Sequence, residues 1–189
     1  APVRVVRIGY SGELGWELHI PAEFAAHVYD LLWKAGQAHS IRNIGYRVID
    51  SLRMEKGYLY WSADITPDYS PIEAGLGGRV HLKSGGDFIG RKVLAAQKAS
   101  GPARVLCCFT SPDDLPLYGG EPILLDGKVV SLVTSAAFGH TVGRTILFGY
   151  LPGDLGKETD FTLEAFARQY PVIRATAPLY DAENRRLKS

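Results

Sequence analysis

The succession of short apolar segments after residue 102 restricts the fold of this chain more than any other feature. Asp126 and Gly127 separate two of these segments, and an Asp-Gly pair between apolar runs is the strongest short-range signal for a β-hairpin. Several short strands separated by turns are typical of a small antiparallel sandwich or barrel. The predicted hairpin covers residues 121–135, and the other predicted strands cover residues 103–111, 145–151, 160–168 and 171–176.

Residues 1–100 have a different pattern, which predicts helices beside a small amount of strand. Apolar residues recur at helical spacing, so helices are expected over residues 21–35 and 45–56, with a shorter helix over 89–98. Residues 60–80 form an irregular segment rich in proline, glycine and aromatic residues. A loop of such length in a compact domain is usually functional or packed as a lid.

The pattern changes at Ser100, Gly101 and Pro102, which resemble a linker. We therefore expect an α+β part over residues 1–100 and an all-β part over residues 101–189. The chain has no initiator methionine and begins directly in a strand-like run, so we expect it to be the C-terminal portion of a longer protein.

Composition excludes several classes of function. The formal net charge of +1 over 189 residues argues against a nucleic-acid partner or an anionic membrane partner, which would need a clustered basic face. No apolar run is long enough to span a bilayer. Cys107 and Cys108 are adjacent, so they would point to opposite faces of a strand and are poorly placed to bond to each other. Reduced cysteines are compatible with a bacterial cytoplasm or a mitochondrial matrix.

A second hairpin is predicted at residues 7–20, where apolar and polar residues alternate around a turn that contains Gly12 and Gly15. After the turn, Glu17 lies between Trp16 and Leu18. A carboxylate carries only acceptor lone pairs, so it suits a planar ligand edge with two adjacent N–H donors, such as a guanidinium or a pterin. From the hairpin alone, a solvated glutamate on an edge strand is the better interpretation.

Common catalytic and metal-binding motifs are absent. There is no G-x-G-x-x-G or P-loop, and the histidines have no zinc-ligand spacing, so no metal site is predicted. Ser135 and His140 lie in a segment that we interpret as a loop at a barrel rim, and His140 is expected to be structural or polar lining rather than catalytic. Arg47, Asp50 and Arg53 are spaced three apart on the second helix, which favours a solvated ion-pair face.

Five ordered segments resemble the glycine cleavage T-protein (aminomethyltransferase) family. They include the G-Y-S-G-E-L-G-W-E-L-H-I-P run and the N-x-G-Y-R-x-x-D-S-L-R-M-E-K-G run, and they cover nearly the whole chain. Within that family, their form resembles the C-terminal regions of sarcosine and dimethylglycine dehydrogenases. The five segments lie at residues 9–21, 43–57, 70–76, 87–91 and 133–140.

The resemblance implies part of a ferredoxin-like α+β folate-binding domain, followed by a small antiparallel β-barrel. It implies tetrahydrofolate as the cofactor, with a carboxylate at Glu17 that holds the pterin edge. Tyr10 matches a family tyrosine that borders the folate, an interpretation that we favour over a packed turn tyrosine. Leu18 and His19 match the strand positions beside the glutamate. T-proteins have an arginine immediately before the helix aspartate, and here Arg47, one turn back, is the nearest substitute.

The resemblance also implies that the family's catalytic aspartate, and the FAD site of the dehydrogenases, lie upstream of this chain. We therefore assign no catalytic residue here. The expected function is the tetrahydrofolate-binding region of an FAD-dependent N-methyl amine dehydrogenase, with a small-molecule amine as substrate. The alternatives are a stand-alone aminomethyltransferase and a non-catalytic regulatory subunit of the same architecture.

Overall fold

The structure of the protein is a computed structural model that describes residues 1–84, 86–155 and 157–188. It combines helices with antiparallel sheets and contains a closed six-stranded β-barrel. The predicted α+β class and the predicted barrel are therefore both confirmed. The sandwich that the strand pattern also allowed is excluded, because the barrel closes by pairing its first strand with its last.

The barrel strands follow one another around the cylinder in the order β3-β6-β5-β4-β7-β8, and every pair is antiparallel. Their inward side chains, contributed by all six strands, form one apolar cluster that includes Phe109, Leu147 and Leu163. Asp126 and Gly127 form the turn between β4 and β5 as predicted. The bounds are β3 (Arg104–Ser111), β4 (Pro122–Leu125), β5 (Lys128–Gly139), β6 (Arg144–Pro152), β7 (Asp160–Ala165) and β8 (Arg168–Ala175).

The adjacent cysteines of β3 point to opposite faces, as expected. Cys107 belongs to the inner cluster, whereas Cys108 packs outside the barrel with Met54, Ile146 and Phe148. Both thiols are free and buried. Burial raises the pKa of the Cys107 thiol and raises that of Cys108 to about 12.

The predicted N-terminal hairpin is present, with shorter strands and a longer connection than the alternation suggested. Strand β1 (Arg4–Val6) pairs antiparallel with β2 (Glu17–His19), and Val6 lies opposite Glu17. Residues 7–16 form the irregular connection, in which Gly12 has φ +77°. Residues 7–16, which the alternation assigned partly to strands, therefore lie in the loop. The glycines favour such irregular backbone conformations over a strand.

The predicted helices of the first part are all present. All three differ from the predicted bounds by a few residues, and short 3-10 turns flank the first. Helix α1 buries no residue, and its apolar side chains Leu31 and Leu32 remain exposed. The helices are α1 (Ala25–Gly36), α2 (Val48–Glu55) and α3 (Arg91–Ser100), followed near the end of the chain by the short α4 (Arg185–Lys188).

Helix α2 joins the first part of the chain to the barrel, and its buried face differs from the predicted one. Val48 of the expected apolar stripe is 40% exposed, whereas the helix buries Ser51, Arg53, Met54 and Glu55. The helix is therefore held mainly by polar contacts, which the apolar spacing did not reveal.

The segment predicted as a rim loop is a strand. Residues 133–139 continue β5, and Ala137 and Gly139 pair with Ile146 and Arg144 of β6. Small residues such as Ser135 and Ala136 have little strand propensity, so the pairing with β6 makes this segment a strand. His140 lies in the turn that follows.

Candidate functional site

An open cleft of about 520 Å³ lies between helix α2, the segment after it and strand β5 of the barrel. The helix contributes charged side chains, and the strand contributes small and aromatic ones. The cleft is thus a polar groove with an aromatic rim, at the place where the two parts of the chain meet. Its lining includes Arg47, Asp50, Arg53, Tyr60, Phe138 and His140.

A buried ion pair forms one wall of this cleft. Nη1 of Arg53 donates to Oδ2 of Asp64 at 2.8 Å, and the two side chains are 5% and 0% exposed. Asp64 also accepts hydrogen bonds from the Tyr60 amide at 2.8 Å and from Oγ1 of Thr134 at 2.6 Å. A buried charge is tolerated only when it is paired and hydrogen-bonded, and Asp64 meets both conditions.

The prediction of a solvated ion-pair face is therefore wrong for Arg53. Asp50 is about half exposed and lies 3.7 Å from Nε of Arg53, so the i,i+3 contact exists, but the guanidinium points inward. The reason is that Asp64, eleven positions after Arg53, returns beneath the helix and offers a stronger acceptor. The Tyr60 ring also lies 5.7 Å from the Arg53 guanidinium carbon, which adds a cation–π contact.

Helix α2 also fixes the barrel strand that forms the opposite wall. Oγ of Ser51 donates to the Phe138 carbonyl at 2.6 Å. Oε1 of Glu55 accepts the backbone amides of Thr141 and Val142 at 2.6 and 3.1 Å. The turn that carries His140 is therefore anchored to the end of the helix, so the two walls of the cleft are held at a set separation.

Arg47 is the one residue of the predicted folate set that lines this cleft. It is exposed and immediately precedes the first turn of α2. His140 itself packs edge-on against Phe138, with ring centres 5.2 Å apart. The expectation that His140 lines a polar surface agrees with this position.

Tyr10 is connected to the cleft through the backbone that follows α2. Its hydroxyl donates to the Leu59 carbonyl at 2.5 Å, and its ring stacks on Tyr58 with centroids 5.8 Å apart. Burial raises the pKa of Tyr10, the positive charge of Arg53 opposes that shift, and the carboxylate of Asp64 adds to it. The phenol is therefore neutral at physiological pH and presents one ring face away from Tyr58.

Glu17, Leu18 and His19 lie on β2, and their side chains are exposed. Nε2 of His19 lies 3.5 Å from Oε2 of Glu17, and both side chains remain more than half exposed. Within the described residues, no hydrogen bond or ion pair connects Glu17 to Tyr10 or Arg47. The structure thus places the predicted residues in three locations: Arg47 in the lining of the cleft, Tyr10 against the backbone beside it, and Glu17, Leu18 and His19 on strand β2 of the hairpin.

Sequence reasoning missed Arg53, Asp64 and Thr134 as residues that shape the site. The available signal was the helix itself: its apolar residues do not fill one face, whereas Ser51, Arg53 and Glu55 recur along it. That pattern indicates a polar buried face, but the sequence does not reveal the partners of these residues.

The described residues show neither a metal site nor a membrane-spanning helix. They contain no group of three or more histidine, cysteine, aspartate or glutamate side chains arranged to hold a metal ion. None of their helices combines the length and apolar character that a bilayer crossing needs.

Two family models match the chain in succession. The GCVT N-terminal domain model matches residues 1–84, and the glycine cleavage T-protein C-terminal barrel domain model matches residues 104–181. The second match coincides with the closed barrel.

Mitochondrial sarcosine dehydrogenase of Homo sapiens is 42% identical over 98% of this chain, and mitochondrial dimethylglycine dehydrogenase of Homo sapiens is 36% identical over 94% of it. In each case the match covers 21% of the relative. The chain therefore spans about a fifth of the length of these curated relatives.

The fold is similar to the crystal structure of glycine cleavage system aminomethyltransferase T from Bartonella henselae. The TM-score is 0.76 at 24% sequence identity, over 93% of this chain and 49% of that one. At this identity the similarity concerns the fold alone.

Proposed function

Since the chain belongs to the glycine cleavage T-protein family, we propose that it is the tetrahydrofolate-binding region of an N-methyl amine dehydrogenase of the sarcosine or dimethylglycine type. The observation that carries the proposal is Glu17: a strand presents its carboxylate at 56% exposure, and among the described residues its ion-pair partner is His19. A carboxylate whose acceptors are not taken by backbone amides is available to a ligand.

The residues of this chain fit a reduced folate by their donor and acceptor chemistry. A pterin edge offers adjacent N–H donors, which a carboxylate accepts side by side. Such a charge-assisted contact is worth about 1.5–3 kcal/mol once water is excluded. The half-buried aromatic ring of Tyr10 suits stacking on a flat ring, and the exposed Arg47 offers a cation to the acidic tail of a folate.

Tetrahydrofolate, when bound, supplies the nucleophilic nitrogens that accept a one-carbon unit. The contribution of this chain is then binding and orientation: Glu17 accepts N–H donors, Leu18 and His19 flank that contact, and Tyr10 limits the space beside it. Orientation of this kind accelerates transfer because it removes the entropic cost of bringing two reactants together. The sequence contains no G-x-G-x-x-G motif, and we propose that oxidation of the amine, and the FAD that it requires, belong to a region outside this chain.

The test uses the natural full-length protein and the Glu17→Gln substitution, which keeps the side-chain shape and replaces one acceptor by a donor. We expect tetrahydrofolate to bind about tenfold to a hundredfold more weakly, the equivalent of one charge-assisted hydrogen bond. Oxidation of sarcosine or dimethylglycine, followed with an artificial electron acceptor, should remain within about twofold of wild type, because Glu17 lies outside the proposed oxidation site.

Glu23→Gln is the matched control, since Glu23 is an exposed glutamate on the short 3-10 turn that follows the hairpin. Its folate affinity should equal that of the wild type. Equal folate affinity in Glu17→Gln and Glu23→Gln would remove Glu17 from the site. A wild-type protein without measurable folate affinity would overturn the proposed function as a whole.

A second candidate is a stand-alone aminomethyltransferase, which the match to the glycine cleavage T-protein C-terminal barrel domain model supports. Mass and visible absorption of the natural protein distinguish the two. A large yellow protein supports the dehydrogenase, whereas a colourless protein about twice the length of this chain supports the transferase. A large colourless protein would favour a regulatory subunit of the same architecture.

A further inference from the structure

Residues 7–16 carry Tyr10 and lead directly into Glu17, yet they contain no helix or strand. We propose that Lys56 and Asp181 are positioning residues, which hold this loop against the end of helix α2 and so set the place of the folate-binding groups. This inference rests on the proposed function. Neither residue needs to touch the ligand, because both act through the loop.

Lys56 and Asp181 form a pair that is shielded from solvent. Nζ of Lys56 lies 3.0 Å from Oδ2 of Asp181 and also donates to the Asp181 carbonyl, and the side chains are only 2% and 7% exposed. Oδ1 of Asp181 accepts the Arg185 amide at 2.7 Å. Burial by itself would raise the pKa of Asp181, but hydrogen bonds from Lys56 and from the Arg185 amide outweigh it, so this pKa lies below its ordinary value.

The loop packs directly on this pair. Gly12 is buried at φ +77°, and a Cβ at that position would lie 2.8 Å from Cγ of Lys56. The loop backbone therefore rests on the aliphatic part of the lysine side chain, an approach that only glycine allows. Displacement of Lys56 removes the surface that supports the loop at Gly12.

The C-terminal segment holds the same loop from a second direction. The Tyr180 hydroxyl donates to Oε1 of Glu13 at 2.7 Å, and Nη2 of Arg7 donates to the Leu187 carbonyl at 3.3 Å. The hydrogen bond to Glu13 raises the pKa of Tyr180, so this phenol remains a donor at physiological pH. Contacts at Arg7, Gly12 and Glu13 thus bracket Tyr10 on both sides.

The segment is in turn fixed to helix α2. The backbone amides of Leu179 and Tyr180 donate to the Glu55 carbonyl at 2.9 and 3.0 Å. Glu55 binds the C-terminal segment and Lys56 supports the loop at Gly12, so two consecutive residues anchor both. Because the same helix carries Arg47 and Arg53, this arrangement sets the hairpin in a defined position relative to the cleft.

The experiment combines Lys56→Met with Asp181→Asn in the natural full-length protein. The pair of substitutions keeps side-chain volume and removes both charges, so no buried charge is left unpaired. We expect tetrahydrofolate affinity to fall about tenfold, as for the loss of one charge-assisted hydrogen bond. We also expect faster hydrogen exchange in the peptide of residues 8–16, with exchange in β6 and the rate of amine oxidation unchanged.

Arg185→Gln is the matched control, because the side chain of Arg185 forms an exposed ion pair with Glu183 on the same segment. It should leave folate affinity and the exchange of residues 8–16 unchanged. Tyr180→Phe removes the hydroxyl at Glu13 alone and should give a smaller change in the same direction as the double variant.

Two results would overturn the inference. One is folate affinity and exchange in residues 8–16 that are unchanged in the double variant. The other is exchange that rises equally in β6, since that indicates general loss of stability rather than release of the loop. If the wild type binds no folate, the proposed function fails, and the exchange measurement then decides by itself whether Lys56 and Asp181 position the loop.

Discussion

Arg53 and Asp64 are joined by a hydrogen bond of 2.8 Å, although both side chains lie beneath the surface of the cleft. The pair connects helix α2 to the irregular segment that follows it, and Thr134 extends the connection to barrel strand β5. Helix α2, the segment that follows it and barrel strand β5 therefore meet at one carboxylate.

Asp64→Asn should destabilise the protein strongly. Among the described residues the substitution leaves the buried guanidinium of Arg53 only the half-exposed Asp50, at 3.7 Å, as a counter-ion. The loss of the main partner of a buried pair costs about 3–5 kcal/mol. Chemical denaturation of the natural protein measures the change. Asp50→Asn is the control, because Asp50 is about half exposed and 3.7 Å from the same guanidinium, and it should cost less than about 1 kcal/mol. Equal effects of the two substitutions would contradict the assignment of Asp64 as the main partner.

Gly139→Ala should also be destabilising, by about 1–3 kcal/mol, because it overpacks a filled site. A Cβ at Gly139 would lie 2.7 Å from Cγ2 of Val142 and 2.9 Å from Cγ of Glu55. The substitution would therefore push the barrel turn away from the helix that anchors it.

Gly78→Ala is the matched control for this substitution, since no atom lies within 4 Å of its added Cβ and its φ is not positive. Thermal unfolding of both variants tests the point. A Gly139→Ala protein as stable as Gly78→Ala would show that the turn can shift without cost.

Sequence patterns predicted the helices and barrel strands because those elements depend on local periodicity. Helix α1 and the hairpin at Asp126 show this: each is specified by residues within one short window. The buried face of α2 was missed because its partners are distant, Asp64 for Arg53 and Thr141 for Glu55. The sequence does not show whether a polar residue is buried, because its burial depends on a hydrogen-bond partner that the fold supplies.

In the candidate site, too, single residues can be identified from the sequence, whereas the contacts between them cannot. The resemblance suggested Arg47 as the nearest substitute for a family arginine; this residue lines the cleft, and its contact with folate stays a prediction. Whether Glu17, on the hairpin, belongs to the same site stays a prediction, because Glu17 contacts His19 and none of the cleft residues described here.

Stability should fall as the pH rises above about 9, in part through Cys108. Burial raises the pKa of this thiol from 9.0 to about 12, so the folded protein keeps a proton that the unfolded chain loses. The contribution is fully present below the unfolded pKa and is lost as the pH rises through the folded one. Urea denaturation at pH 8 and pH 10 measures the slope, which Cys108→Val should flatten. An unchanged slope in this variant would exclude Cys108 as the cause.

Tyr10 provides the last test, because its ring and its hydroxyl have separable roles. Tyr10→Phe removes the hydrogen bond to the Leu59 carbonyl but keeps the ring that stacks on Tyr58. If the ring faces the folate, this variant should lose about 0.5–1.5 kcal/mol of stability and keep most of its folate affinity. Tyr10→Leu removes the aromatic face as well and should weaken folate binding by about a further 0.5–1.5 kcal/mol. Calorimetric titration with tetrahydrofolate, beside thermal unfolding, separates the two effects. Equal folate affinity in the Phe and Leu variants would make Tyr10 a packing residue of the loop, because a stacked ligand would distinguish an aromatic ring from an aliphatic side chain.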